Sequence, residues 1–168
     1  MKGRRSDRSV VLGTAVRCRH GAPVVVICAP VKDGVPFPTT FWLTCPHLVH
    51  RCAVLESQGA VPELRSVLEE NETAWRAYNA LHGKIRLALL APRPAAILRT
   101  RRRSLRDALR RGGVGGMEYG TGGPKCLHLQ TASWLALGRH PGEKFLEKTV
   151  VPLECPLPGR CTGDVTGT

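Results

Sequence analysis

All the strand-like patterning in this chain ends by Leu43, and everything after it repeats at helical spacing. That segregation points to an α+β fold and excludes an alternating βαβ one. Val10–Val16 and Val24–Ala29 are short β-branched runs separated by Gly21-Ala22-Pro23, which reads as two neighbouring strands. Pro30 ends the second run. Lys32-Asp33-Gly34-Val35-Pro36 reads as a turn, with Asp-Gly supplying positive φ and the proline fixing the exit. Phe37–Leu43 is then a third strand. Pro30, Pro36 and Pro38 suit a stiff crossing segment better than a sheet interior. Such a segment would deliver Phe37 and Trp42 to wall a cleft beside the following helix start.

Helices account for the rest. Thr44 is placed to cap a helix opening at Pro46, with Leu48, Val49, Cys52 and Leu55 as its apolar stripe and Gly59 closing it. Pro62 opens a second, with Leu64, Val67 and Leu68 inward. Glu72–Leu90 is a third, faced by Trp75, Tyr78, Leu81, Ile85 and Leu89, and broken by Pro92 and Pro94. Ala95–Arg111 is a basic amphipathic fourth. Pro124 opens another, with Leu127, Thr131, Trp134 and Leu135 inward, and Glu143–Lys148 is short. The expectation is a small antiparallel sheet of about three strands near the N-terminus, followed by about five helices. Residues 10–150 form one domain, between a basic tail over 1–9 and a Pro/Gly/Cys-containing tail over 151–168.

A chain of 168 residues can bury a core without staples. Its 25 Lys and Arg against 13 Asp and Glu leave a formal charge of +12, which excludes an acidic solvating chain. The basic start resembles a signal peptide. The apolar run after it is short, is broken by Gly13 and Thr14, and lacks a small-residue cleavage site. No apolar window is long enough to span a bilayer, so the chain is expected to be cytoplasmic. Seven cysteines would then be thiols or metal ligands, and an odd number cannot pair fully within one chain.

The largest electrostatic feature is Arg99, Arg101, Arg102, Arg103, Arg106, Arg110 and Arg111, with Leu98, Leu105 and Leu109 on one stripe. A polyanion would relieve this self-repulsion: RNA, DNA, polyphosphate or an anionic membrane surface. The bland alternative is a solvated face with no partner. Gly113-Val114-Gly115-Gly116 lacks the context of a phosphate-binding loop and reads as a hinge.

Several blocks resemble a known bacterial family. These are Arg17-Cys18, Asp33-Gly34, Pro36-Phe37-Pro38-Thr39 running into Trp42-Leu43-Thr44-Cys45-Pro46, Leu55-Glu56, Gly113-Val114-Gly115-Gly116 and Lys125-Cys126-Leu127-His128. Together they resemble domain of unknown function 501, over about Val16 to Lys148. The family pattern often has a further histidine where this chain has Gln130, and Asn-Pro where it has His140-Pro141. The position of Cys45 is sometimes histidine in that pattern. The resemblance implies a bacterial cytoplasmic protein and names no reaction.

Two thiols stand out. Cys45 and Cys126 each sit at an expected helix start, where free N–H groups and the helix dipole favour a thiolate. Both are candidate nucleophiles. Each is followed two residues later by histidine, His47 and His128. Two residues within a helix turn the side chains about 200° apart, so a shared site is easier between the blocks than within one. Cys45, Cys126 and His128 are the expected metal ligands, zinc fits these residue types, and Cys155 or Cys161 could supply a fourth. The competing reading is that the thiols pack as small hydrophobes, as expected of Cys28 and Cys52.

Overall fold

A computed structural model of the chain describes residues 8–90, 103–116 and 123–155. A single 3-10 turn leads into β1 (Val11–Arg17), β2 (Pro23–Cys28), β3 (Val31–Lys32), β4 (Val35–Pro36) and β5 (Phe41–Leu43). The helices among the described residues are α1 (Pro46–Ser57), α2 (Ala60–Glu70), α3 (Glu72–Ala88), α4 (Arg103–Arg111), α5 (Leu127–Leu137) and α6 (Glu143–Thr149). The α+β expectation holds: a three-stranded antiparallel sheet in the order β1-β2-β5 precedes the helices. None of the described helices is long and apolar enough to cross a membrane.

The third strand is shorter than expected. It begins at Phe41 because the proline-rich stretch before it cannot supply a ladder of donors. Lys32–Pro36 is more than a turn. β3 and β4 pair antiparallel across Asp33 and Gly34, whose φ of 52° and 76° are both positive, the conformation of a two-residue hairpin loop.

Period-two alternation splits the sheet's two faces. Val25, Phe41 and Leu43 face the main core, which α1, α2, α3, α5 and α6 complete with Leu48, Leu64, Trp75, Leu127 and Leu146. Val26, Cys28 and Trp42 face the other way, with Val10 and Phe37. Phe37 and Trp42 stack on each other there, ring centres 6.1 Å apart. They therefore do not wall a cleft beside Cys45, which lies in the main core.

Helix starts and caps differ by one to three residues. Thr44 does not cap α1: its Oγ1 donates to the carbonyl of Pro23, which ties the strand end down, and Cys45 takes the cap position. α2 begins at Ala60 behind Gly59, whose φ is 94°. α5 begins after Cys126 and not at Pro124. The segment 95–102 of the expected basic helix lies outside the described residues.

Two buried polar residues of α3, Asn79 and Arg86, hold the end of α4 and the glycine turn after it, while His82 between them bonds Ser133 of α5. Asn79, His82 and Arg86 recur at helical spacing on one face. Arg86 is 1% exposed. Its Nε donates to the carbonyl of Leu109 at 3.0 Å, and its Nη1 to that of Gly113 at 2.9 Å. Asn79 Oδ1 accepts from the backbone N–H of Val114. A Cβ on Gly113 would run into the Asn79 amide, so only glycine fits that close approach. The expected hinge is instead a buried turn held on two sides.

Candidate functional site

Cys126 is the N-cap of α5, in extended backbone, and its side chain makes no cap hydrogen bond. The helix's first N–H groups need another acceptor. Glu56, near the end of α1, supplies it: its Oε1 accepts from Leu127 N at 2.6 Å and, more weakly, from His128 N at 3.4 Å. The same oxygen accepts from Nδ1 of His128 at 2.8 Å. The other ring nitrogen, Nε2, donates to the carbonyl of Val49 at 3.0 Å.

Glu56 and the Val49 carbonyl each offer the ring an acceptor and no donor, so the imidazole satisfies both by carrying two protons. The charged form is favoured accordingly. The hydrogen bond with Cys126 and the Glu56 carboxylate push His128 up to about 9, against the downward pull of partial burial. One donor atom each from Glu56, Cys126 and His128 lies within 4.8 Å of the others. All three residues are half-buried, so the cluster is anchored and still reached by solvent. Lys125, beside it, reaches back to the carbonyl of Gly115 at 3.2 Å and links the site to the buried turn.

Of the expected ligands, Cys126 and His128 come together and Cys45 does not join them. Cys45 is 4% exposed in the main core. Glu56 meets the start of α5, while one turn back Cys52 meets Thr131 one turn further along, Sγ to Oγ1 at 3.5 Å. The two helices thus run antiparallel along this seam, and their N-termini lie at opposite ends. Glu56, eleven residues beyond Cys45 and so about 16 Å along the axis, occupies the place expected for a second thiol. His47 bonds elsewhere, Nε2 to the carbonyl of Pro152. Cys155 is buried outside the cluster, and Cys161 lies outside the described residues.

Cys28 and Cys52 are fully buried, as expected of packing thiols, and desolvation pushes each up to about 11. Gln130 is also fully buried. Its Oε1 accepts from His140 Nε2 at 2.9 Å, away from the cluster.

Sequence reasoning missed Glu56. Its signal was a carboxylate at i, i+3, i+7 spacing with Val49 and Cys52, on a face that otherwise reads as apolar. Of the arginines, Arg103, Arg106, Arg110 and Arg111 are exposed on α4, and Arg99, Arg101 and Arg102 lie outside the described residues.

No curated protein and no solved structure matches the chain. A family model, described as a protein of unknown function (DUF501), matches residues 14–147 and so spans Glu56, Cys126, His128 and the buried glycine turn. The chain belongs to the DUF501 family.

Proposed function

We propose that this is a metal-binding protein, with zinc the best-fitting ion, held by Cys126 Sγ, His128 Nδ1 and a Glu56 oxygen. The observation that carries the reading is the bond from His128 Nε2 to Val49. A metal-ligating histidine commonly gives its other N–H to a backbone carbonyl, which fixes the tautomer and aims the remaining lone pair. Here that bond aims Nδ1 at the Glu56 carboxylate and leaves a thiol close by.

A thiol, an imidazole and a carboxylate are all zinc donors, and three protein ligands leave a fourth position for water or a substrate. Two donors on one tetrahedral zinc stand roughly 3.3 Å apart at the usual bond lengths. The 2.8 Å between Glu56 Oε1 and Nδ1 thus needs to widen by about half an ångström as the shared proton leaves.

The test is metal content of the full chain after chelation, zinc loading and dialysis, with cobalt as a spectroscopic substitute. One zinc per chain is expected, with a sulfur-to-cobalt charge-transfer band. Cys126→Ser and His128→Ala should lose both signals, and Cys45→Ser should keep them. Loss in Cys45→Ser with retention in Cys126→Ser would refute the assignment, as would a folded protein that retains no metal.

A further inference from the structure

The two sides of α4 have opposite chemistry. Leu105 and Leu109 are 8% and 1% exposed, packed against Val31, Leu87 and Leu90. At about 100° per residue, Arg103, Arg106 and Arg110 fall within about 60° of one another, turned roughly 110° from the leucines. All three are exposed, and Arg111 is exposed on the flank. From Arg103 to Arg110 the helix rises about 10 Å. Asp107 is the one carboxylate on the helix. The C-terminal end of the helix is anchored, because Arg86 grips the carbonyls of Leu109 and Gly113 there.

This geometry narrows the class of partner. The stripe is convex and linear, so it suits a row of anions better than one small anion in a pocket. Each strand of duplex DNA carries a phosphate about every 3.4 Å of axis while winding around it, so up to about three come within reach of the stripe's long side chains. The leucines are committed to the protein body, so α4 has no free apolar face to sink into a bilayer. The helix carries no aromatic residue to stack on exposed bases and no Asn or Gln to read adenine edges, and its arginines could read guanine alone. Arginine's planar fork matches phosphate.

We propose that the Arg103–Arg106–Arg110 stripe binds the phosphate backbone of double-stranded nucleic acid without reading its sequence. This surface is independent of the Glu56–Cys126–His128 site and stands or falls without it.

The experiment is fluorescence anisotropy of the full chain with two labelled DNA duplexes of unrelated sequence, across about 50 to 200 mM salt. Both duplexes should bind alike, with log affinity falling against log salt at a slope of about −3 for three neutralised phosphates. Arg103→Ala with Arg106→Ala should flatten the slope by about two units, and Arg103→Lys with Arg106→Lys should largely restore it. Thermal unfolding of each variant keeps a folding defect distinguishable. No duplex binding at the lowest salt overturns the proposal. So does a slope unchanged in the alanine variant, or binding confined to inorganic polyphosphate, single strands or anionic vesicles.

Discussion

Glu56 caps a helix other than its own: its Oε1 accepts the N–H of Leu127, the first residue of α5, at 2.6 Å. The same atom holds the His128 ring, so one carboxylate joins α1 to α5 and also orders the cluster. Removing it leaves the helix start and the imidazole without their shared acceptor. Glu56→Ala should therefore lower stability by about 1–3 kcal/mol, the range for a lost cap plus a charge-assisted bond. Glu56→Gln keeps an acceptor for Leu127 and should lose roughly half as much. Urea unfolding of the metal-free protein measures both. An unchanged midpoint in Glu56→Ala would show that the cap contributes nothing.

Stability should peak near neutral pH, because the buried histidines and His128 pull in opposite directions. His82 and His140 are lowered to about 3, chiefly by desolvation. His140 is satisfied as a neutral ring, donating from Nε2 to Gln130 and accepting the Gly142 N–H at Nδ1. Between about pH 6.5 and 3 the unfolded chain binds protons that the folded one excludes, so this stability is complete above about 6.5 and falls as acid is added. Two such groups give a slope of about 3 kcal/mol per pH unit. His128 has the reverse sign. With its folded value raised to about 9, its contribution is complete below about 6.5 and is lost as pH rises through about 9. Denaturant midpoints across pH 4 to 10 test this, with His82→Gln and His140→Gln combined as the control. An acid limb just as steep in that variant would sink the assignment.

The split between sheet and helices was legible because it rests on hydrophobic period, which a single chain carries openly. Val25 and Val26 show this in adjacent residues, one in each core cluster. Cys126 and His128 were legible as chemistry, through a thiol at a helix start and a histidine two residues on. Their partner was not, because it depends on which way α1 runs against α5. An antiparallel seam exchanges a carboxylate at one end of α1 for the thiol at the other, and neither helix's own pattern encodes that choice. Likewise Gly113–Gly116 looks like a hinge in one dimension. It becomes a fixed turn only once Asn79 and Arg86, some thirty residues earlier, are brought beside it.

Arg86 should be among the most costly residues to replace, although it touches no part of the proposed metal site. Its guanidinium is fully buried and supplies donors to carbonyls on two segments beyond α3. It also reaches the carbonyl of Pro38 at 3.3 Å, which places the proline-rich crossing against the same point. Arg86→Met would roughly keep the stem's volume and strand those carbonyls in a dry interior, where each unsatisfied group costs about 1–3 kcal/mol. The expected loss is about 3 kcal/mol or more. Arg86→Lys should recover only part of it, because one ammonium cannot reproduce the planar fork that serves Leu109 and Gly113 together. The effect should also be local. The amide of Val114, which donates to Asn79, should exchange with solvent faster in Arg86→Met than wild-type stability at the same denaturant offset explains. Hydrogen exchange read beside global unfolding separates the two effects. If Val114 exchange follows global stability alone, the turn is held by Asn79 and its neighbours, and Arg86 serves only to tie α4 to α3.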